Sequence, residues 1–308
     1  MTTKVIQRIL VPTDLSDFSR GAAAWAAMFH RRLGSGITLL YANQPYVPID
    51  IFEAPSAHAL QTSPEFRERM AEELSKFAVE CFPHCGSSVD TVIVDKSPAE
   101  AIVETATKID ADLILMGTHG RRGWRRALLG SVTETVARAT DRLLMSVPAS
   151  FAAAETDIAT IVCPVNFTDI GRQALGDAVA LAGAFAAELL VVYVADPLDE
   201  PYLRHLTEDL AAWVEPAVRE RCKYSQIISR GDAAEQVLEI AGQTGADLIV
   251  IGAQHKRFFD ATVLGTTTER VVRFAKQPVW TVVSHVGTPK ELHEHKARSR
   301  FAVAHDAR

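Results

Sequence analysis

One plan is written twice along this chain, and that repeat constrains the fold more than any other feature. RILVPTDLSDFSRGAAAWAAMF leading to ITLLYANQP returns as TIVCPVNFTDIGRQALGDAVALAGAF leading to ELLVVYVADP. Pro12 with Pro164, Tyr41 with Tyr193 and Pro45 with Pro197 share an offset of 152. Farther along, ADLILMGTHG aligns with ADLIVIGAQH and LLGSVTETVAR with VLGTTTERVVR, pairing Gly117 with Gly252 and Gly130 with Gly265 at an offset of 135. A chain built this way is expected to fold as two similar units, which suits a length of 308 residues. The offset falls from 152 to 135, so 17 extra residues lie in the first copy between Pro45 and Pro98. The Pro- and Ser-containing stretch from Tyr46 to Ser63 is the expected insertion, read as a surface loop. The expected units are residues 1–148 and 156–283, followed by a charged, His-containing tail, 284–308, expected to be flexible.

Within each copy, short apolar β-branched runs alternate with amphipathic or small-residue stretches. In the first they are Arg8 to Pro12, Ile37 to Tyr41, Thr91 to Val94, Leu113 to Met116 and Leu143 to Val147. Runs apolar on both faces belong to a buried parallel sheet. The segments between them, Gly21 to Leu33, Glu65 to Val79 and Ala99 to Ile109, have helical periodicity. The predicted class is α/β: two tandem doubly wound, Rossmann-like domains, each a five-stranded parallel sheet with helices on both faces. Such sheets bind ligands beyond the carboxyl ends of their strands.

Composition narrows the function classes. The chain is 48% hydrophobic and 23% charged, with 32 Lys and Arg against 38 Asp and Glu, a net charge of −6. A broad nucleic-acid footprint is not expected from that balance. The longest apolar region, Leu175 to Ala195, carries Asp177 and Glu188 and reads as helix then strand, so no membrane span is expected. Four cysteines are too few for a disulfide scaffold, and MTTKVIQRILVP lacks the apolar run of a signal peptide, which favours the cytoplasm.

The densest chemical signal is Gly117, Thr118, His119, Gly120, then nine residues to Gly130 and Ser131, lying between the strand LILM and the helix SVTETVARAT. Glycines at a strand-to-helix turn let the backbone approach a ligand, and the free amides of the next helix favour an anion. A phosphate chain suits both. Ser131 and Thr133 add hydroxyls, and Arg121, Arg122, Arg125 and Arg126 add positive charge.

This G-x2-G-x9-G-[ST] spacing, with PTD at Pro12 to Asp14 and the closing strand LLMSVP, resembles the universal stress protein family over most of the chain, up to about Val283. The resemblance implies that the first copy binds ATP, with Mg²⁺ accompanying the phosphates. Pro12, Thr13 and Asp14 would meet the adenine or ribose end, and Leu40 and Met116 would flank the base. Gly117, His119, Gly120, Arg121, Gly130, Ser131, Val132 and Thr133 would surround ribose and phosphates. It also implies edge-to-edge pairing of the fifth strands, Leu143 to Val147 with Val279 to Val283, and further association of two chains as a homodimer. Asp14 could equally cap the helix that follows it.

The second copy departs from this pattern: Asn166 replaces the aspartate and His255 the second glycine, while Lys256, Arg257, Phe258 and Phe259 crowd the loop. Weak or altered nucleotide binding is expected there. No nucleophile elbow, zinc-protease motif or Walker P-loop occurs, so at most slow ATP hydrolysis is expected, with His119 and Asp14 the only polar candidates. A slow ATPase or nucleotidyl-transfer enzyme and a nucleotide-free scaffold are the alternatives. Cys81, Cys85, Cys163 and Cys222 read as ordinary thiols.

Overall fold

In the computed structural model, which describes residues 6–44, 63–118, 130–148, 157–195, 200–214, 221–254, 256–258, 261–263 and 265–284, each copy folds as the alternating apolar runs dictate. The first copy contains β1 (Arg8–Thr13), α1 (Asp17–Leu33), β2 (Gly36–Ala42), α2 (Pro64–Cys81), β3 (Val89–Val94), α3 (Pro98–Lys108), β4 (Leu113–Gly117), α4 (Ser131–Ala139) and β5 (Leu143–Val147). The second contains β6 (Thr160–Pro164), α5 (Asp169–Phe185), β7 (Glu188–Ala195), α6 (Glu200–Trp213), β8 (Lys223–Arg230), α7 (Ala233–Gln243) and β9 (Leu248–Gln254). It ends with a short hairpin, β10 (Lys256–Phe258) and β11 (Ala261–Val263), then α8 (Thr266–Phe274) and β12 (Val279–Ser284). Residues 46–62 of the expected insertion and the tail from 285 lie outside the described residues.

Each copy is a parallel five-stranded sheet, in the orders β3-β2-β1-β4-β5 and β8-β7-β6-β9-β12. The two are continuous as one ten-stranded sheet, because β12 pairs antiparallel with β5, Trp280 opposite Met145. The carboxyl ends of the two half-sheets therefore face opposite ways.

The two faces of this sheet are built differently. On one, a single core runs through both copies: Phe29 of α1 meets Phe185 of α5 edge-on at 5.9 Å and Trp280 of β12 at 6.1 Å. The small residues of α1, Ala22, Ala23, Ala26 and Ala27, are buried and let that helix lie close on the sheet. On the other face there are two clusters, one beneath α3 and α4 that also takes in Ala253 of β9, and one beneath α7 and α8. Charged side chains of α4 and α8 meet where the copies join on this face. Glu134 pairs with Arg138 at 2.6 Å, Glu269 with Arg273 at 2.8 Å, and Arg138 lies 3.9 Å from Glu269.

Candidate nucleotide crevices at the switch points

In each half-sheet the strand order reverses between the first and fourth strands, and there the ladder is short. β1 pairs with β2 from Arg8 to Thr13, but with β4 only at Ile9↔Leu113 and Leu10↔Ile114. Beyond Leu10 the two strands no longer pair, and at such a switch point a doubly wound sheet forms its crevice, here between the ends of β1 and β4. The second copy repeats this, with β6 and β9 in register only at Ile161↔Leu248 and Val162↔Ile249.

The first lip is the turn after β1. Leu15 sits in the left-handed region at φ 62°, and its amide donates to Thr13 Oγ1 at 2.9 Å. Asp14 Oδ1 accepts from the Ser16 amide at 3.1 Å and from Ser16 Oγ at 2.5 Å. The helix N-cap is Ser16, without a side-chain cap bond, so Asp14 organises the turn without capping α1. Thr13 is buried, its hydroxyl 2.8 Å from that of Ser19.

The second lip is the end of β4 and the start of α4. Thr118 donates its amide to Val147 O at 2.9 Å and accepts from the Gly130 amide at 2.8 Å, so the segment 119–129 leaves and re-enters through one hydrogen-bonded neck. Gly130 is required by this neck: a Cβ there would stand 2.8 Å from Thr118 O, closer than real contacts allow. Gly130 is also the N-cap of α4 and supplies no side-chain acceptor. The first-turn amides of α4 thus begin uncapped beside the crevice, a suitable environment for an anion. Ser131 is exposed, Val132 half-buried, and Thr133 is 2% exposed with its hydroxyl donating to Gly117 O at 3.0 Å. The Thr133 proton therefore braces the strand end, as Thr268 does at Gly252 O at 2.9 Å.

Of the sequence-predicted site residues, the structure gathers Pro12, Thr13, Asp14, Met116, Gly117, Gly130, Ser131, Val132 and Thr133 around the β1–β4 crevice. Leu40 of β2 is wholly buried and Met116 is 5% exposed, both in the cluster beneath α3 and α4. His119, Gly120, Arg121 and the other loop arginines lie outside the described residues, as does His255.

Two repeated features that the sequence displayed had no role assigned. Asp112 Oδ2 accepts from the amides of Gln7 and Arg8 at 2.9 and 3.0 Å, and Asp247 Oδ2 from those of Ala159 and Thr160 at 2.8 and 2.9 Å. The repeated Ala-Asp-Leu thus clamps the amino ends of the paired strands, away from the crevices. Gly252 leaves room for α5, since a Cβ there would stand 2.9 Å from Ile170 O. Its identity to Gly117 at offset 135 has a packing reason that a ligand-based reading does not supply.

Among the described residues there is no cluster of three or more His, Cys, Asp or Glu that could hold a metal ion. Burial pushes the Cys81, Cys85, Cys163 and Cys222 thiols up, away from thiolate chemistry. No helix among the described residues is long and apolar enough to cross a membrane.

These features define a tandem doubly wound α/β protein with a switch point in each half-sheet, the place where such sheets bind ligands. The chain belongs to the universal stress protein family, whose sequence model matches residues 6–147 and 158–283. A universal stress protein of Mycolicibacterium smegmatis is 26% identical over 290 residues, covering 89% of this chain and 96% of that protein. One from Methanocaldococcus jannaschii is 33% identical over 132 residues, 42% of this chain and 75% of that protein. Among solved structures, a universal stress protein from Archaeoglobus fulgidus shares the fold with a TM-score of 0.69 at 19% identity, over 89% of this chain and 97% of that one.

Proposed function

We propose that the first copy binds ATP with Mg²⁺ as a regulatory or sensing ligand, and that the chain acts as a binding module of a cytoplasmic stress response. The observation that carries this reading is the pairing of two lips across one opening: the Asp14 turn at the end of β1, and the uncapped start of α4 beyond the Thr118–Gly130 neck. The first offers a carboxylate to a ribose or base edge, and the second offers amides and the Ser131 hydroxyl to phosphates. Leu40 and Met116 give a base an apolar floor. None of these residues forms a base–nucleophile pair, so turnover beyond a slow background is not part of the reading.

Calorimetric titration of the full chain with ATP and MgCl₂ tests it, with one binding event expected. Asp14→Asn, which keeps the acceptor for Ser16 as Asn166 does for Thr168, should weaken that event about tenfold, the loss of one charge-assisted bond. No binding by the folded wild-type chain would overturn the proposal. Phosphate release abolished by His119→Ala would move it to the enzyme class. The reading includes a homodimer, which sedimentation should show as twice the 33.6 kDa chain mass.

A further inference from the structure

The helices flanking the two crevices are joined differently. In the second copy Arg270 of α8 reaches across to the first turn of α7, with Nη1 2.6 Å from Asp232 Oδ2 and Nη2 3.1 Å from Glu235 Oε1. Asp232 is itself fixed, because its Oδ1 caps α7 by accepting from the Glu235 amide at 2.9 Å. A planar guanidinium engaging two carboxylates of one helix turn holds direction as well as charge.

At the corresponding positions of the first copy stand Thr135, Ser97 and Glu100. Thr135 Oγ1 donates back along its own helix to Ser131 O at 2.7 Å, and Ser97 Oγ points to Glu100 at 3.4 Å. Lys96 binds Glu100 at 3.2 Å and Glu104 at 2.6 Å, all beside or within α3. Among the described residues no side-chain hydrogen bond or ion pair crosses from α4 to α3.

We propose that Arg270 is a latch that determines what the second crevice admits: by tying the start of α7 to α8 it fixes that pair of helices at the rim against the shift that admitting a nucleotide needs, a restraint the α3–α4 pair lacks. The inference rests on the reading of the first crevice as a nucleotide site. α7 begins just after β8 and α8 just after the β10–β11 hairpin, so the tie lies at the carboxyl-end rim of the second half-sheet.

Reciprocal exchanges in the full chain test the latch. Arg270→Thr with Asp232→Ser should add a second ATP·Mg²⁺ event to the one of wild type. Ser97→Asp with Thr135→Arg should weaken the first event tenfold or more. A single event in the unlatched variant, or unchanged affinity in the grafted one, overturns the latch. Hydrogen exchange supplies a readout that needs no nucleotide: Arg270→Thr alone, which leaves the Asp232 cap in place, should speed exchange of the bonded amides of Glu235, Gln236 and Glu269 severalfold. Wild type that binds no ATP overturns the nucleotide reading, and the exchange rates then decide the latch on their own, unchanged rates overturning it.

Discussion

Ser16 and Thr168 occupy the same corner of the two copies, and their hydroxyls do different work. Ser16 gives its proton to Asp14 and leaves α1 without a side-chain cap. Thr168 gives its proton to Asn166 Oδ1 at 2.6 Å and also accepts from the Gly171 amide at 3.2 Å, capping α5. Around the second lip Phe167 packs edge-on against Trp213 at 5.6 Å, and the Arg172 guanidinium lies 4.5 Å over that ring. Where the first copy keeps a carboxylate at the crevice, the second has an amide and an aromatic group stacked with a cation. Repeats sharing one backbone plan can therefore diverge at the switch point while the strand clamps at Asp112 and Asp247 stay alike, because both clamps join the same pair of strands in the same way.

The largest expected effect addresses how separate the copies are. Trp280 of the second copy packs on Phe29 of the first and donates to Asp177 at 3.2 Å, so Trp280→Ala should cost about 3–5 kcal/mol. Denaturant unfolding should stay a single transition, shifted down, since one core spans both copies. Two resolved transitions, with only the second displaced, would break the picture of a fused core.

Next come the paired glycines. Gly130→Ala places a methyl 2.8 Å from Thr118 O and should cost about 1–3 kcal/mol through forced backbone movement. At Gly265 no described atom lies within 4 Å of such a methyl, so Gly265→Ala should cost less, about 0.5–1 kcal/mol, the ordinary Gly-to-Ala difference at an N-cap. Equal losses in parallel denaturation curves would show that the necks do not differ. A smaller contrast is Thr168→Ala, expected to cost about 1 kcal/mol as a lost cap, against a lesser loss for Ser16→Ala. Reversal of that order would mean the Ser16–Asp14 bond stabilises more than a helix cap.

The smallest effect concerns pH. The Glu235 amide bond and then Arg270 hold the Asp232 carboxyl below its ordinary range. A lowered folded-state pKa means that the bond's contribution is complete above the unfolded value near ~4 and is lost as pH falls through the lowered one. Carboxyl titration followed by NMR should give Asp232 a higher midpoint in Arg270→Thr than in wild type. An unchanged midpoint would show the guanidinium contact to be negligible in solution.

Strand and helix positions were legible because burial imposes periodicity. Leu143 to Val147 is the observed β5, and Gly21 to Leu33 falls within α1, which begins earlier at Asp17. The hairpin β10–β11 was not legible: its three-residue strands, in a stretch read only as a crowded loop, carry too short a pattern to register. At the crevice, the residue types at Asp14, Gly130 and Ser131 could be picked from spacing, whereas the direction of each hydroxyl could not. Thr133 belongs to the glycine-spaced run, yet it bonds to Gly117 because that carbonyl is the acceptor within reach.

The sequence by itself determined that there are two like units, that each is an alternating α/β sheet, and that only the first keeps the full glycine spacing. These follow from local period and from self-comparison, which need no knowledge of what lies opposite. Only the tertiary structure decided that one face is fused through Phe29, Phe185 and Trp280 while the other holds two clusters with Arg138 and Glu269 facing across the join. It alone set Arg270 against Asp232, 38 residues away, and Asp112 against Gln7, 105 residues away. Such partners are chosen by the crossing of helices and strands that the chain brings together only when its apolar faces are buried, and no local pattern records that choice.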